Sequence, residues 1–198
     1  EHEQTFDKVL VAVGRKPLTD GLGLENVGIA LDDNGFIPVD EQMNTGVPGI
    51  FAVGDVAGHP MLAHKATHEG RVAAEVAAGK KTVSDARALP AVVFADPEIA
   101  WCGLTEKQAE ERGIEIRVTR FPWAASGRAA TLGRKDGLTK LICEPDTGRV
   151  LGAGITGHNA GELIAEAGLA IEMGAVADDL ALTVHTHPTL SETLMEAA

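Results

Sequence analysis

Long apolar runs are missing from this 198-residue sequence. No stretch approaches the roughly 20 consecutive apolar residues of a membrane-spanning helix. The opening EHEQTFDKVL has no signal-peptide character and no starting methionine, so the expectation is of a chain cut from a longer one. Cysteine is scarce: Cys102 and Cys143 are the only two, and they form no C-x-x-C or related pair. Nothing here points to secretion, so both thiols read as small apolar fillers in a reducing compartment. Positive charge is also in short supply, with 17 Lys and Arg against 29 Asp and Glu, for a net charge of −12. That balance argues against a nucleic-acid backbone as partner; it suits a basic protein partner, or simply solubility. There is no internal repeat and no low-complexity tract.

What is present is a succession of element signals. Phe6 to Gly14 is a nearly continuous apolar run, as in a strand buried on both faces of a parallel sheet, and Arg15-Lys16-Pro17 breaks it. A short strand is expected at Phe36 to Val39, and another buried strand at Gly49 to Asp55. Leu62 to Ala78 has the apolar stripe of a helix, closed by Gly79. After Pro90 the pattern changes. Val92 to Phe94 and Ile99 to Cys102 read as strands, Thr105 to Gln108 as a capping box opening a helix that ends at Gly113, and Ile114 to Phe121 as a strand. Leu138 to Cys143 and Val150 to Thr156 flank Pro145-Asp146-Thr147-Gly148, a hairpin signal. Asn159 to Glu162 reads as a second capping box, before a helix faced by Leu163, Ala167, Ala170 and Ile171 and stopped at Gly174. From about residue 88 onward this is an α+β fold, an antiparallel sheet with helices on one side, preceded by remnants of α/β domains.

Three segments hold chemistry. In GIFAVGDV the strand ends at Gly54-Asp55, which brings a carboxylate to a sheet edge where open α/β folds bind ligands, just before a helix N-terminus. The plainer role for Asp55 is a turn or cap. In HTHPTLSE, Pro188 biases His187 toward extended backbone, so His185 and His187 are expected to point to one side. Glu192 either completes a capping box with Thr189 or reaches back to a ring nitrogen of His187 and fixes its tautomer, as a base and its orienter require. A His-x-His metal pair is a third option, with no further ligand at a recognisable spacing. RFPWAASGRAA is either a loop packing on another chain or an edge of the domain's own core.

Taken in order, FDKVLVAVGRKP, GIFAVGDV, MLAHKATHEG, FPWAASGRA and HTHPTLSE resemble the C-terminal part of the dihydrolipoyl dehydrogenases, within the class I pyridine nucleotide-disulfide oxidoreductase family. The resemblance runs the length of the chain. It implies three segments: 1–20 closing an NAD-binding domain, 21–87 returning to an FAD-binding domain, and 88–198 forming the dimerisation (interface) domain. It implies His187 as acid/base and Glu192 as its orienter, with Gly54, Asp55, Met61, Leu62, Ala63 and His64 on the FAD side and Gly14 on the NAD side. His185 has no comparable role and is expected to be structural. The family's redox disulfide and both glycine-rich dinucleotide fingerprints are not in this sequence. The implied parent is a flavoprotein oxidoreductase with FAD and NAD, a bacterial cytoplasmic homodimer serving the acyltransferase core and lipoyl domain of a 2-oxo acid dehydrogenase complex. Two alternatives stand beside it: an inactive dimerisation and binding module, and a relative with glutathione-reductase-like specificity.

Overall fold

The alternating segments after Pro90 pair into one sheet. In the computed structural model, which describes residues 3–198, the strands are β1 (Ala91–Val93), β2 (Glu98–Gly103), β3 (Arg117–Pro122), β4 (Leu138–Cys143) and β5 (Val150–Gly157). They run antiparallel in the order β1-β2-β5-β4-β3. All belong to the second of two compact units, Ala86–Ala198; the first is Glu1–Asp85. The β4–β5 hairpin sets Leu141 opposite Ala153 and Thr139 opposite Ile155. β2 sets Ala100 opposite Ile155 and Cys102 opposite Ala153. Since side chains alternate between faces, one face collects Ala100, Cys102, Leu141, Ala153 and Ile155, all buried.

Helices cover that face. Ile164, Ala167, Ala170 and Ile171 of α4 (Ala160–Met173) are spaced to share one stripe. They join a single buried cluster with the sheet residues and with Leu194 and Ala197 of α6 (Glu192–Ala197). α2 (Glu106–Arg112), α3 (Gly127–Leu132) and α5 (Ala177–Leu182) are shorter. The opposite face is more polar. There Arg120 and Lys140, facing each other across β3 and β4, lie 2.8 and 3.3 Å from Glu106 at the start of α2.

Helix ends follow the sequence in one case and depart from it in another. Thr105 and Gln108 form the expected capping box, with each side chain accepting the other's backbone N–H at 3.0 and 3.2 Å, and Gly113 closes α2 in the left-handed region. The second box does not form. Asn159 is itself left-handed, with φ 61, and its side chain caps nothing. Glu98 of β2 accepts the Gly161 N–H instead, at 2.9 Å. An acceptor carried on the sheet takes the place of the local one.

In the first unit, α1 (Ala63–Ala77) forms where its stripe lies. The expected strands do not: Phe6 to Gly14, Phe36 to Val39 and Gly49 to Asp55 carry none, and the unit's one bridge among the described residues joins Asn44 and Phe51. Phe6, Val9, Leu10, Val11 and Val13 are exposed. A strand apolar on both faces needs a neighbour to satisfy its backbone, and no described residue supplies one. Small clusters around Ile29, Ile37 and Ala52, and around Met43, Val72 and Ala73, are the core of this unit. Among the described residues no helix is long and apolar enough to cross a membrane.

Candidate functional site

The His185–Ser191 segment is irregular backbone, so the side chains at its two histidines do not obey a strand's alternation. His185 is turned in, with its side chain 6% exposed, while His187 is turned out, at 77%. The expectation that both point one way is therefore corrected. His187 Nδ1 lies 2.8 Å from Glu192 Oε1. A carboxylate only accepts, so Nδ1 is the donor, and the tautomer of the neutral ring that fits this contact has its lone pair on Nε2. No described residue partners Nε2. The ring edges a cavity of about 150 Å³ shared with Phe121, Ser126, Gly127 and Glu196.

The same carboxylate also performs the capping contact. Glu192 Oε2 accepts the Thr189 N–H at 2.7 Å. The reciprocal half of the expected box is absent, because Thr189 Oγ1 donates to the Thr186 carbonyl at 2.7 Å and the N-cap of α6 is Ser191. One carboxylate thus makes both contacts, to the ring and to the Thr189 N–H. The Thr189 N–H, then the His187 ring, hold the Glu192 carboxyl below its ordinary range.

His185 forms a second pair that sequence reasoning did not find. Its Nε2 is 2.7 Å from Glu166 Oε1 of α4, and its Nδ1 is 2.9 Å from the Thr183 carbonyl. Two acceptors at two ring nitrogens are both satisfied only by the imidazolium. Burial opposes the charge, but the Thr183 carbonyl and the Glu166 carboxylate outweigh it and raise the pKa. This pair ties the irregular segment to α4, two residues before His187.

A buried polar chain seats α6 on the sheet. Trp123 Nε1–H donates to Thr139 Oγ1 at 2.9 Å, Thr139 Oγ1–H donates to Thr193 Oγ1 at 2.8 Å, and Thr193 Oγ1–H donates to the Leu190 carbonyl at 2.7 Å. Each donor finds one acceptor, so no polar atom is stranded. This answers the open question over RFPWAASGRAA: Trp123 is fully buried within its own unit's core. Its ring fills a slot that only glycine leaves open, since a Cβ at Gly137 or Gly157 would lie 2.2 or 2.3 Å from it.

In the first unit, Gly54-Asp55-Val56 is a single 3₁₀ turn. Gly54 has φ 76, and a Cβ there would lie 2.9 Å from the Ala66 side chain, so the position needs glycine twice over. A buried ion pair not foreseen from the sequence holds this turn. Lys65 and Glu69 of α1 are 2.8 Å apart, Glu69 Oε2 accepts the Gly54 N–H at 2.7 Å, and Lys65 Nζ donates to the Gly58 carbonyl at 3.2 Å. The signal was their spacing of four, which does not reveal burial. Asp55 is half-exposed, 3.5 Å from Arg15 Nη1, and Arg15 also bonds the Met61 carbonyl. Met61 is buried, Leu62 is the extended N-cap of α1 with no side-chain cap, and Ala63 and His64 open the helix on its exposed side. Gly14, with φ 115, lies in the exposed segment with nothing near its Cβ position.

Both cysteines are buried free thiols, and burial pushes Cys102 up to about 12, so neither is a nucleophile near neutral pH. Among the described residues no group of three or more His, Cys, Asp or Glu could hold a metal ion.

Residues 89–198 match the family described as pyridine nucleotide-disulphide oxidoreductase, dimerisation domain, and residues 1–70 match pyridine nucleotide-disulphide oxidoreductase. The chain is similar to a dihydrolipoyl dehydrogenase of Vibrio cholerae, 54% identical over 195 residues, covering 98% of this chain and 41% of that protein. It is likewise similar to one of Thermus scotoductus, 54% identical over 198 residues, covering 100% of this chain and 43% of that one. Among solved structures it resembles LpdA of Mycobacterium tuberculosis, with a TM-score of 0.86 and 33% identity over 92% of this chain and 40% of that one. It resembles the flavoprotein disulfide reductase RclA of Escherichia coli to the same degree, with a TM-score of 0.86 and 33% identity over 94% and 43% of the two chains. The chain spans about two fifths of the length of the curated relatives it matches.

Proposed function

The chain belongs to the pyridine nucleotide-disulphide oxidoreductase family, and from that premise we propose that it is the C-terminal portion of a dihydrolipoyl dehydrogenase, in which His187 is the acid/base and Glu192 its orienter. The observation that carries this reading is the 2.8 Å contact from His187 Nδ1 to Glu192, with Nε2 left unpartnered at a cavity. In the proposed chemistry, Nε2 takes the proton of a lipoyl dithiol. The S–H bond breaks, an N–H bond forms, and the thiolate is the species that enters dithiol–disulfide exchange. Glu192 keeps Nδ1–H in place and balances the imidazolium. The disulfide is assigned to another part of the parent, because both cysteines of this chain are buried.

The three-part division of the chain belongs to this reading: 1–20 to an NAD-binding domain, 21–87 to an FAD-binding domain and 88–198 to the dimerisation domain of a homodimer. The residues present fit a flavin nucleotide. Asp55 offers a half-exposed carboxylate to polyol hydroxyls, and the positive end of the α1 dipole, at Ala63, favours partial negative charge on a ligand. FAD, when bound, supplies a two-electron relay between the dithiol and NAD. The partners of the reading are a lipoyl domain and the acyltransferase core of a 2-oxo acid complex, the core docking through a basic module on this chain's acidic surface. Added salt is expected to weaken that docking; binding indifferent to salt speaks against it. Two free thiols suit a reducing compartment, proposed as the bacterial cytoplasm.

The test is His187→Ala in the full-length parent. Turnover of dihydrolipoamide with NAD is expected to fall at least ~100-fold, the usual scale for general acid–base catalysis. Near-normal turnover removes His187 from the mechanism, and a parent that prefers glutathione disulfide with NADPH moves the chain to the glutathione-reductase branch.

A further inference from the structure

Among the described residues, eight of the 17 Lys and Arg side chains sit against carboxylates, Arg15, Lys65, Arg120, Arg134 and Lys140 among them. One cavity of the second unit gathers two arginines outside that pairing beside a third within it. It measures about 620 Å³, and three arginines line it from three parts of the fold: Arg87 ahead of β1, Arg112 at the end of α2, and Arg149 just before β5. Its one carboxylate, Glu144, is already engaged, 3.2 Å from Arg149 Nη2 and hydrogen-bonded by Thr147. Arg87 and Arg112 have no ion pair or hydrogen bond among the described residues. The cavity shares no lining residue with the one beside His187.

Its floor is apolar and rigid. Leu104, Ile114, Leu151 and Ile171 contribute to it. The end of β2 is locked onto β5 by the Leu104 N–H donating to the Leu151 carbonyl at 2.8 Å. A Cβ at Gly103 would lie 2.3 Å from that carbonyl, and one at Gly152 2.0 Å from the Leu104 carbonyl, so two glycines set the close approach. A preformed concavity within the usual ~300–1,000 Å³ range for ligand sites thus joins an apolar wall to unpaired guanidinium groups. Guanidinium is the side chain suited to planar, bidentate contact with an oxyanion.

We propose that this cavity is a binding site for a small organic anion, one carboxylate or phosphate group on an apolar body, with Arg87 and Arg112 taking the anionic group and Ile114, Leu104 and Ile171 the body. The assignment is independent of the redox reading, and its test needs no turnover. Phenyl phosphate, 3-phenylpropionate and inorganic phosphate are titrated separately into the 198-residue chain, followed by amide shifts. Saturable shifts at Gly103, Leu104, Ile114 and Leu151 are expected with one or both of the aromatic anions. Arg112→Ala and Arg87→Ala are each expected to weaken binding at least about tenfold, the loss of one charge-assisted contact. Arg71→Ala, on α1, serves as the control and leaves it unchanged. Both variants alter exposed side chains outside the core, and unshifted amides elsewhere report that they fold. No saturable shift up to about 10 mM of either aromatic anion, or binding undiminished from the unsubstituted chain in both arginine variants, overturns the site. Inorganic phosphate binding as tightly as phenyl phosphate overturns the role of the apolar wall. A preference between the two aromatic anions tells whether the natural ligand carries a phosphate or a carboxylate.

Discussion

His185 and His187 are two residues apart and have opposite fates. One ring is buried between two acceptors, the other is exposed with a free nitrogen, and the difference lies in what each meets rather than in the ring. Their carboxylate partners pull stability in opposite pH directions. The Glu192 carboxyl is held below its ordinary 4.5, so its contribution is present above that value and lost as pH falls through the lowered one. The His185 imidazole is raised above its ordinary 6.5, so its contribution is complete below 6.5 and lost as pH rises through the raised value. Calorimetric unfolding followed against pH is expected to show both declines, and Glu166→Gln to reduce the alkaline one while sparing the acid one. An alkaline limb identical in that variant means His185 is not the group responsible. Glu192→Gln in the parent is expected to cost less turnover than His187→Ala, since the amide oxygen can still accept Nδ1–H. Of these pairs only His187–Glu192 was legible beforehand, because five residues of local chain bring it together. Glu166 is nineteen residues from His185 on another element, a distance no local spacing encodes.

At the scale of elements, short signals succeed where the chain alone closes the contact. Thr105 and Gln108 are three apart and cap each other. Asn159 has the same kind of spacing to Glu162, yet a sheet carboxylate reached the helix start first. The Trp123–Thr139–Thr193 chain shows the same limit, since it joins the turn after β3, β4 and α6 through hydrogen bonds that no sequence period announces. Thr139→Val is expected to destabilise the second unit by about 1–3 kcal/mol, because it strands the buried Trp123 Nε1–H and removes a partner of Thr193. Gly137→Ala is expected to cost a similar ~1–3 kcal/mol by overpacking, as its Cβ would lie 2.2 Å from the Trp123 ring. Urea unfolding measures both; a neutral Thr139→Val would mean the indole N–H finds another acceptor. Since α6 carries Glu192, either change is expected to disturb the His187 pair as well.

For the molecule as a whole, the two units differ in what they bury. The main cluster, from Ala88 to Ala198, lies entirely within Ala86–Ala198, whereas the first unit holds two small clusters and a row of exposed apolar side chains near its start. Residues 86–198 expressed alone are expected to unfold in one cooperative transition, with tryptophan fluorescence, from buried Trp123 and exposed Trp101, and far-ultraviolet circular dichroism changing together. Non-coincident transitions would show that this core is not self-sufficient. The net charge of −12 bears on solubility and on partners and leaves the fold undetermined.

The sequence by itself indicated the antiparallel sheet of the second unit, the α1 and α4 stripes, the β4–β5 hairpin and one capping box, and it held the His187–Glu192 pairing as one of three readings. The stripes, the hairpin and the box depend on residues near one another in the chain, where backbone geometry leaves few choices, whereas the pairing of β2 with β5 was settled by the tertiary structure. Only the tertiary structure decided that Phe6 to Gly14 carries no strand, that Glu98 caps α4, that Lys65 and Glu69 are buried around Gly54, and that Arg87, Arg112 and Arg149 share one cavity. Those outcomes depend on which surfaces are brought together from far apart in the chain. Burial then settles whether a charge is screened, paired or left facing a cavity, and local spacing carries no record of it.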